Sequence, residues 1–158
     1  MAAIPPNNIG AVVIDANIVI ALASREAGRV NIVNQELLHY VSLGYDWYAP
    51  GAIVSEALYA LCQKLNTGVL DAAQHQTAII TLQRTLTDVF PPPQGEHSLI
   101  QRAEEIRIGY GCSRSADTLY IALAEELSQS MPTVLLTFDQ DLPKQAAKNA
   151  PNVNVKLL

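Results

Sequence analysis

Charge is the scarcest ingredient of this sequence. Asp, Glu, Lys and Arg supply 16% of its 158 residues, against 49% hydrophobic, where soluble domains usually carry about 25% charged residues. Some of the uncharged surface is therefore expected to be covered by a partner or by a second copy. Ten basic residues against fifteen acids give a net charge of −5, which excludes a broadly basic nucleic-acid grip but leaves room for a local basic patch beside an acidic site. Cysteine is limited to Cys62 and Cys112, with no CxxC and no Cys/His cluster. A disulfide scaffold is thereby excluded, and a reduced, cytoplasmic setting is expected. His39, His75 and His97 show no HExxH or other ligand spacing. Neither a GxxxxGKS/T loop nor a GxGxxG turn is present, which argues against a P-loop enzyme or a dinucleotide fold. No apolar run reaches the roughly 18 residues that span a bilayer, and the first residues lack a basic and then apolar leader, so no membrane role is expected.

What is present is about one domain's worth of chain, expected as a single domain over residues 1–158 with a short N-terminal arm at 1–8. Ala11 to Ile14 reads as a fully buried strand after the turn-prone Asn7-Asn8-Ile9-Gly10. A helix over Ala16 to Ser24 follows, and then a second in which Val30, Val33, Leu37, Leu38 and Val41 recur at helical spacing. Asp46 to Ala49 is a short strand. Helices are expected after Pro50-Gly51, from Val69 to about Thr87, and from Glu96 to Tyr110, with a brief strand at Asp88-Val89-Phe90. Ser115 opens another helix through Leu127, Pro132 to Phe138 is a second buried strand, Lys144 to Asn149 a short helix, and Val153 to Leu157 an edge strand. Strands separated by helices imply parallel crossovers, hence a three-layer α/β/α sandwich with a mainly parallel sheet of four to five strands.

The two most convincing strands both end on a carboxylate, Asp15 and Asp139. In open parallel sheets ligands bind beyond the strands' carboxyl ends, so two acids delivered there are placed for chemistry. Helix capping is an equally simple use for Asp15. On a wheel of about 100° per residue, Asp117 falls on the flank of the stripe formed by Ala116, Leu119, Tyr120, Leu123 and Leu127, a position that can rim a cleft or simply favour the helix dipole. Glu56 lies about 140° from the Ile53, Leu58, Leu61 stripe, so periodicity alone makes it a solvated residue. Trp47, Tyr48, Tyr59 and Tyr120 read as packing residues.

Four segments taken together resemble the PIN-domain nucleases, which include the VapC-like toxins of bacterial toxin–antitoxin pairs. Val13-Ile14-Asp15-Ala16-Asn17 looks like the family's opening motif, with Asn17 where many relatives have Ser or Thr. Ser55-Glu56 matches its second acidic position. Ser115-Ala116-Asp117-Thr118-Leu119-Tyr120 is similar to the third motif, and Leu135-Leu136-Thr137-Phe138-Asp139-Gln140-Asp141 resembles the fourth. The long segment from Gly68 to Thr87 and the run Pro91-Pro92-Pro93 depart from a compact toxin. The resemblance implies endoribonuclease activity dependent on Mg²⁺ or Mn²⁺, with Asp15, Asp117 and Asp139 as metal ligands and Glu56 orienting bound water; one ion or two about 3.5–4 Å apart would suit such a set. Asn17, Ser115 and Thr137 would support these carboxylates, with Asp141 as a further candidate acid. Arg114 is the nearest candidate for an RNA phosphate, with Arg25 and Arg29 behind it. An antitoxin protein is the implied partner, and a homodimer burying an apolar helix face is expected. A PIN-like module that binds a partner without catalysis is the competing reading, favoured by the low charge. An aspartate-nucleophile phosphatase is weaker, because the second acid such enzymes carry two residues on is here Asn17.

Overall fold

The computed structural model describes residues 5–112 and 115–158. Strand β1 (Ala11–Ile14) consists of four fully buried apolar residues, covered on both faces as a central parallel strand must be. The ring of Tyr45 fills the space that a Cβ at Gly10 would need, so the entry to β1 has no room for a side chain. After β1 come α1 (Ala16–Ala23), α2 (Val30–Ser42), β2 (Asp46–Tyr48), α3 (Ala52–Asn66), α4 (Ala72–Thr87) and β3 (Val89–Phe90). Gly44, at φ +77°, stops α2 and turns the chain into β2. A 3₁₀ turn at Glu96–Leu99 then leads into α5 (Ile100–Gly109), α6 (Asp117–Ser128), β4 (Thr133–Thr137), α7 (Asp141–Asn149) and β5 (Val155–Leu157).

All strand pairs are parallel, in the order β3-β2-β1-β4-β5. The chain steps outward from β1 through β2 to β3, then returns to the other side of β1 for β4 and β5. The order therefore reverses between β1 and β4, and the crevice of such a sheet opens at that point, beyond the carboxyl ends. The register sets Ile14 beside Leu136, so Asp15 emerges level with Thr137. Helices α1, α3 and α4 pack on one another, while α6 lies on β1 and β4 with α5 against it and α7 reaches β5. This is the three-layer α/β/α sandwich that the alternation of strands and helices implied. Val12, Val13, Ile14, Ile18, Ile121, Leu123, Leu135 and Leu136 fill its centre.

Several boundaries differ from the sequence expectation, among them the starts of α6 at Asp117 and β5 at Val155, each two residues later than expected; three others have a direct structural reason. Helix α4 begins at Ala72 rather than Val69, because Asp71 and Gln74 close a capping box at its start. Helix α7 begins at Asp141 rather than Lys144, since Pro143 in a first turn gives up no intrahelical hydrogen bond. The helix expected from Glu96 starts as a 3₁₀ turn, where the Glu96 carboxylate accepts from the Gly51 N–H at 2.6 Å. Among the described residues no helix is long and apolar enough to cross a membrane.

Candidate active site

Asp15 follows β1 and caps α1, accepting the Ala16 N–H on Oδ1 at 2.7 Å. Its other oxygen, Oδ2, accepts from the Thr137 hydroxyl at 2.7 Å and from Asn17 Nδ2 at 2.8 Å. The capping role and the place at the sheet's carboxyl edge, alternatives in the sequence, thus coexist in one side chain. A carboxylate offers about four acceptor positions, and three are occupied here, so a single direction on Oδ1 remains for a further ligand.

Thr137, fully buried at the end of β4, ties the two strand ends together. Besides donating to Asp15, its Oγ1 accepts the Asp139 N–H at 2.9 Å. Asn17 extends the same bridge, since its Oδ1 accepts the Phe138 N–H at 3.1 Å. Asp139 in turn accepts the Asp141 N–H on Oδ1 at 2.8 Å, which orients its carboxylate at the start of α7. Asp141 is exposed and pairs with Lys144 at 2.8 Å, while its charge still reaches Asp117.

Asp117, at the start of α6, is 9% exposed. Gln145 of α7 donates Nε2 to its Oδ2 at 2.7 Å, and the side chain of Ser115 hydrogen-bonds it as well. Glu56 is half-buried and accepts the Tyr120 hydroxyl on Oε2 at 2.6 Å. The buried side of α3 runs through Ile53, Ala57 and Leu61 while Leu58 is exposed. That shift of the stripe moves Glu56 to about 100° from its centre, close enough to lean into the cleft.

These acids lie in one another's fields. Burial pushes the Asp15 carboxyl up to about 7, the charges of Asp117 and Glu56 push the same way, and the hydrogen bonds from Thr137 and Ala16 oppose them. Asp117 is raised by burial first and then by Asp139 and Asp141; Glu56 is raised by burial and by Asp117. Among the described residues no cation is a principal influence on any of the three. As they stand, no three His, Cys, Asp or Glu side chains among the described residues are gathered closely enough to hold a metal ion. The donor chemistry nonetheless fits one: all-oxygen, hard, and short of positive charge.

Gln145 is a neighbour that the sequence did not single out, and Tyr120 one that it marked for packing alone. Tyr120 is fully buried, as a packing residue should be, yet its hydroxyl serves Glu56. Gln145 sits with Leu142 and Ala146 on the buried face of α7; a polar residue within that i, i+3, i+4 stripe was its available signal. Arg114 lies outside the described residues. Arg29 holds its guanidinium 4.5 Å from the centre of the Phe138 ring, next to Asp139 in sequence, and also pairs with Glu26. Arg25 lines a different feature, an open groove of about 610 Å³ formed with Leu22, Leu37, Leu38, Trp47 and Arg84. None of the four acids lines that groove.

Comparison with known proteins bears on the family and the fold. The sequence model of the PIN domain matches residues 12–148. Among solved structures, a chain of the VapBC2 complex of Rickettsia felis, crystallised bound to a DNA fragment from their promoter, aligns over 93% of this chain and 98% of its own length, with a TM-score of 0.62 at 11% identity. PAE2754 from Pyrobaculum aerophilum aligns over 94% of this chain and 83% of its own, with a TM-score of 0.53 at 21% identity. No curated protein matches the sequence.

Proposed function

The chain belongs to the PIN-domain family, and from that premise we propose that it is a Mg²⁺- or Mn²⁺-dependent endoribonuclease that hydrolyses RNA phosphodiester bonds, acting as the toxin of a toxin–antitoxin pair. The observation that carries this reading is the placement of Asp15 and Asp139 at the carboxyl ends of β1 and β4, where the strand order reverses, with Asp117 and Glu56 in electrostatic reach. Asp15, Asp117 and Asp139 would hold the cation, which when bound activates water and stabilises the leaving oxygen. Asn17 and Thr137 hold Asp15 against the end of β4, and Ser115 supports Asp117. Glu56, steadied by Tyr120, orients the attacking water. Asp141 stays at the rim with Lys144, and Arg114 and Arg29 take the substrate phosphates.

An antitoxin belongs to the same proposal. The groove lined by Leu22, Leu37, Leu38 and Trp47 offers an apolar seat for a partner segment. A homodimer would use the outer face of α3, where Val54, Leu58, Tyr59 and Leu65 are exposed. The competing reading, a binding module without catalysis, draws on the three hydrogen bonds that already engage Asp15 and on the acids not being gathered into a cage.

Digestion of a mixed RNA pool separates the two. An endoribonuclease cleaves it with Mg²⁺ or Mn²⁺, stops in EDTA, and loses at least about 100-fold in rate on Asp15→Asn or Asp139→Asn. Cleavage that survives both substitutions would place the chemistry elsewhere.

A further inference from the structure

Gln145 is buried to within 2% of its surface on the face of α7 that otherwise carries Leu142 and Ala146. An amide there is a poor choice for packing alone, because a leucine would fill the stripe without bringing polar atoms into the interior. Its Nε2 donates to Asp117 Oδ2 at 2.7 Å. Among the described residues its Oε1 is buried and has no hydrogen-bond partner. What the buried side chain delivers is one donor to one oxygen of one acid. A carboxylate can only accept when ionised, so the group facing it must be the amide's N–H₂ end, which fixes which end of Gln145 points toward Asp117.

We infer that Gln145 is a positioning residue: by holding Asp117 Oδ2 from α7, with Ser115 also bonded to the carboxylate, it fixes the orientation in which Asp117 meets a divalent cation. This rests on the metal-dependent reading above. It makes α7 part of the site in a second way, since the turn that leads into this helix carries Asp139 and its buried face holds Asp117. Support of this kind behind a ligand generally changes metal affinity by about 10- to 100-fold.

Calorimetric titration of the full chain with Mn²⁺ tests it, using wild type, Gln145→Met, Asp117→Asn and the double variant. Gln145→Met keeps the length and removes the donor; Gln145→Leu, which matches the apolar stripe of α7 and also removes the donor, repeats the test if the first variant does not fold. The expected result is Mn²⁺ affinity at least about tenfold weaker in Gln145→Met, with its far-ultraviolet dichroism and melting in EDTA unchanged or improved. In the Asp117→Asn background the same substitution should cost nothing further, because its effect runs through Asp117. Wild-type affinity in Gln145→Met alongside a weakened Asp117→Asn overturns the role of Gln145 and leaves the metal site standing. An equal loss in both backgrounds also overturns it, by showing that Gln145 acts through general packing. If wild type itself binds no Mn²⁺, the metal reading fails and this inference falls with it.

Discussion

At the residue scale, Asp15 keeps a proton into the neutral range. Its carboxyl stands at about 7 in the fold against 3.8 for an ordinary aspartate. The folded chain thus binds more protons than the unfolded chain between those values, and stability falls as pH rises across them. The contribution is fully present below about pH 4 and lost once pH has passed through 7, with a magnitude on the order of 4 kcal/mol. Chemical unfolding in EDTA should accordingly give a more stable protein at pH 5 than at pH 8. Asp15→Asn should flatten that slope; a stability that rises from pH 5 to pH 8 would show the carboxylate to be better compensated than its surroundings indicate. Tyr120→Phe makes a second prediction here. It strips the only hydroxyl that the described residues offer to Glu56, which should cost about 1–2 kcal/mol in urea unfolding and slow RNA cleavage.

At the scale of elements, legibility followed how each residue is held. Asp15 and Asp139 were readable because each ends a buried apolar run, and a parallel sheet brings such ends to one edge. Periodicity did not reach Glu56, because the expected stripe on α3 ran through Leu58, which is exposed, whereas Ala57 is the buried member. Gln145 was missed because its partner, Asp117, is 28 residues away and on another helix, a pairing that no periodicity encodes. The start of α4 was misplaced by three residues although Asp71-Ala72-Ala73-Gln74 carries a capping-box pattern. That box yields a prediction with no bearing on catalysis: Asp71→Ala should destabilise the protein by about 1 kcal/mol in urea unfolding while leaving RNA cleavage unchanged.

Over the whole molecule, the shortage of charge has a visible counterpart in the apolar side chains left at the surface of α2 and α3. Leu38 and Val41 are more than half exposed on α2, and Val54, Leu58, Tyr59 and Leu65 open to solvent on α3. Cys62 lies exposed within the α3 stretch, one helical turn from Leu58 and Leu65. If two copies meet on this face, Leu58→Glu should shift the protein to monomer in sedimentation at micromolar concentration, and mild oxidation should cross-link wild type through Cys62 but not Cys62→Ser. A monomer that is indifferent to Leu58→Glu would leave the α3 face to another partner.

The acids themselves are best tested without any substrate. Thermal unfolding at pH 7.5, with and without Mn²⁺ at about 100 times its dissociation constant, should show wild type stabilised by about 2.7 kcal/mol, or roughly 5–10 °C for a domain of this size. The same addition should leave Asp15→Asn and Asp139→Asn nearly unmoved. No shift in wild type at any Mn²⁺ concentration, or an equal shift in all three proteins, would contradict a cation site built where β1 and β4 end.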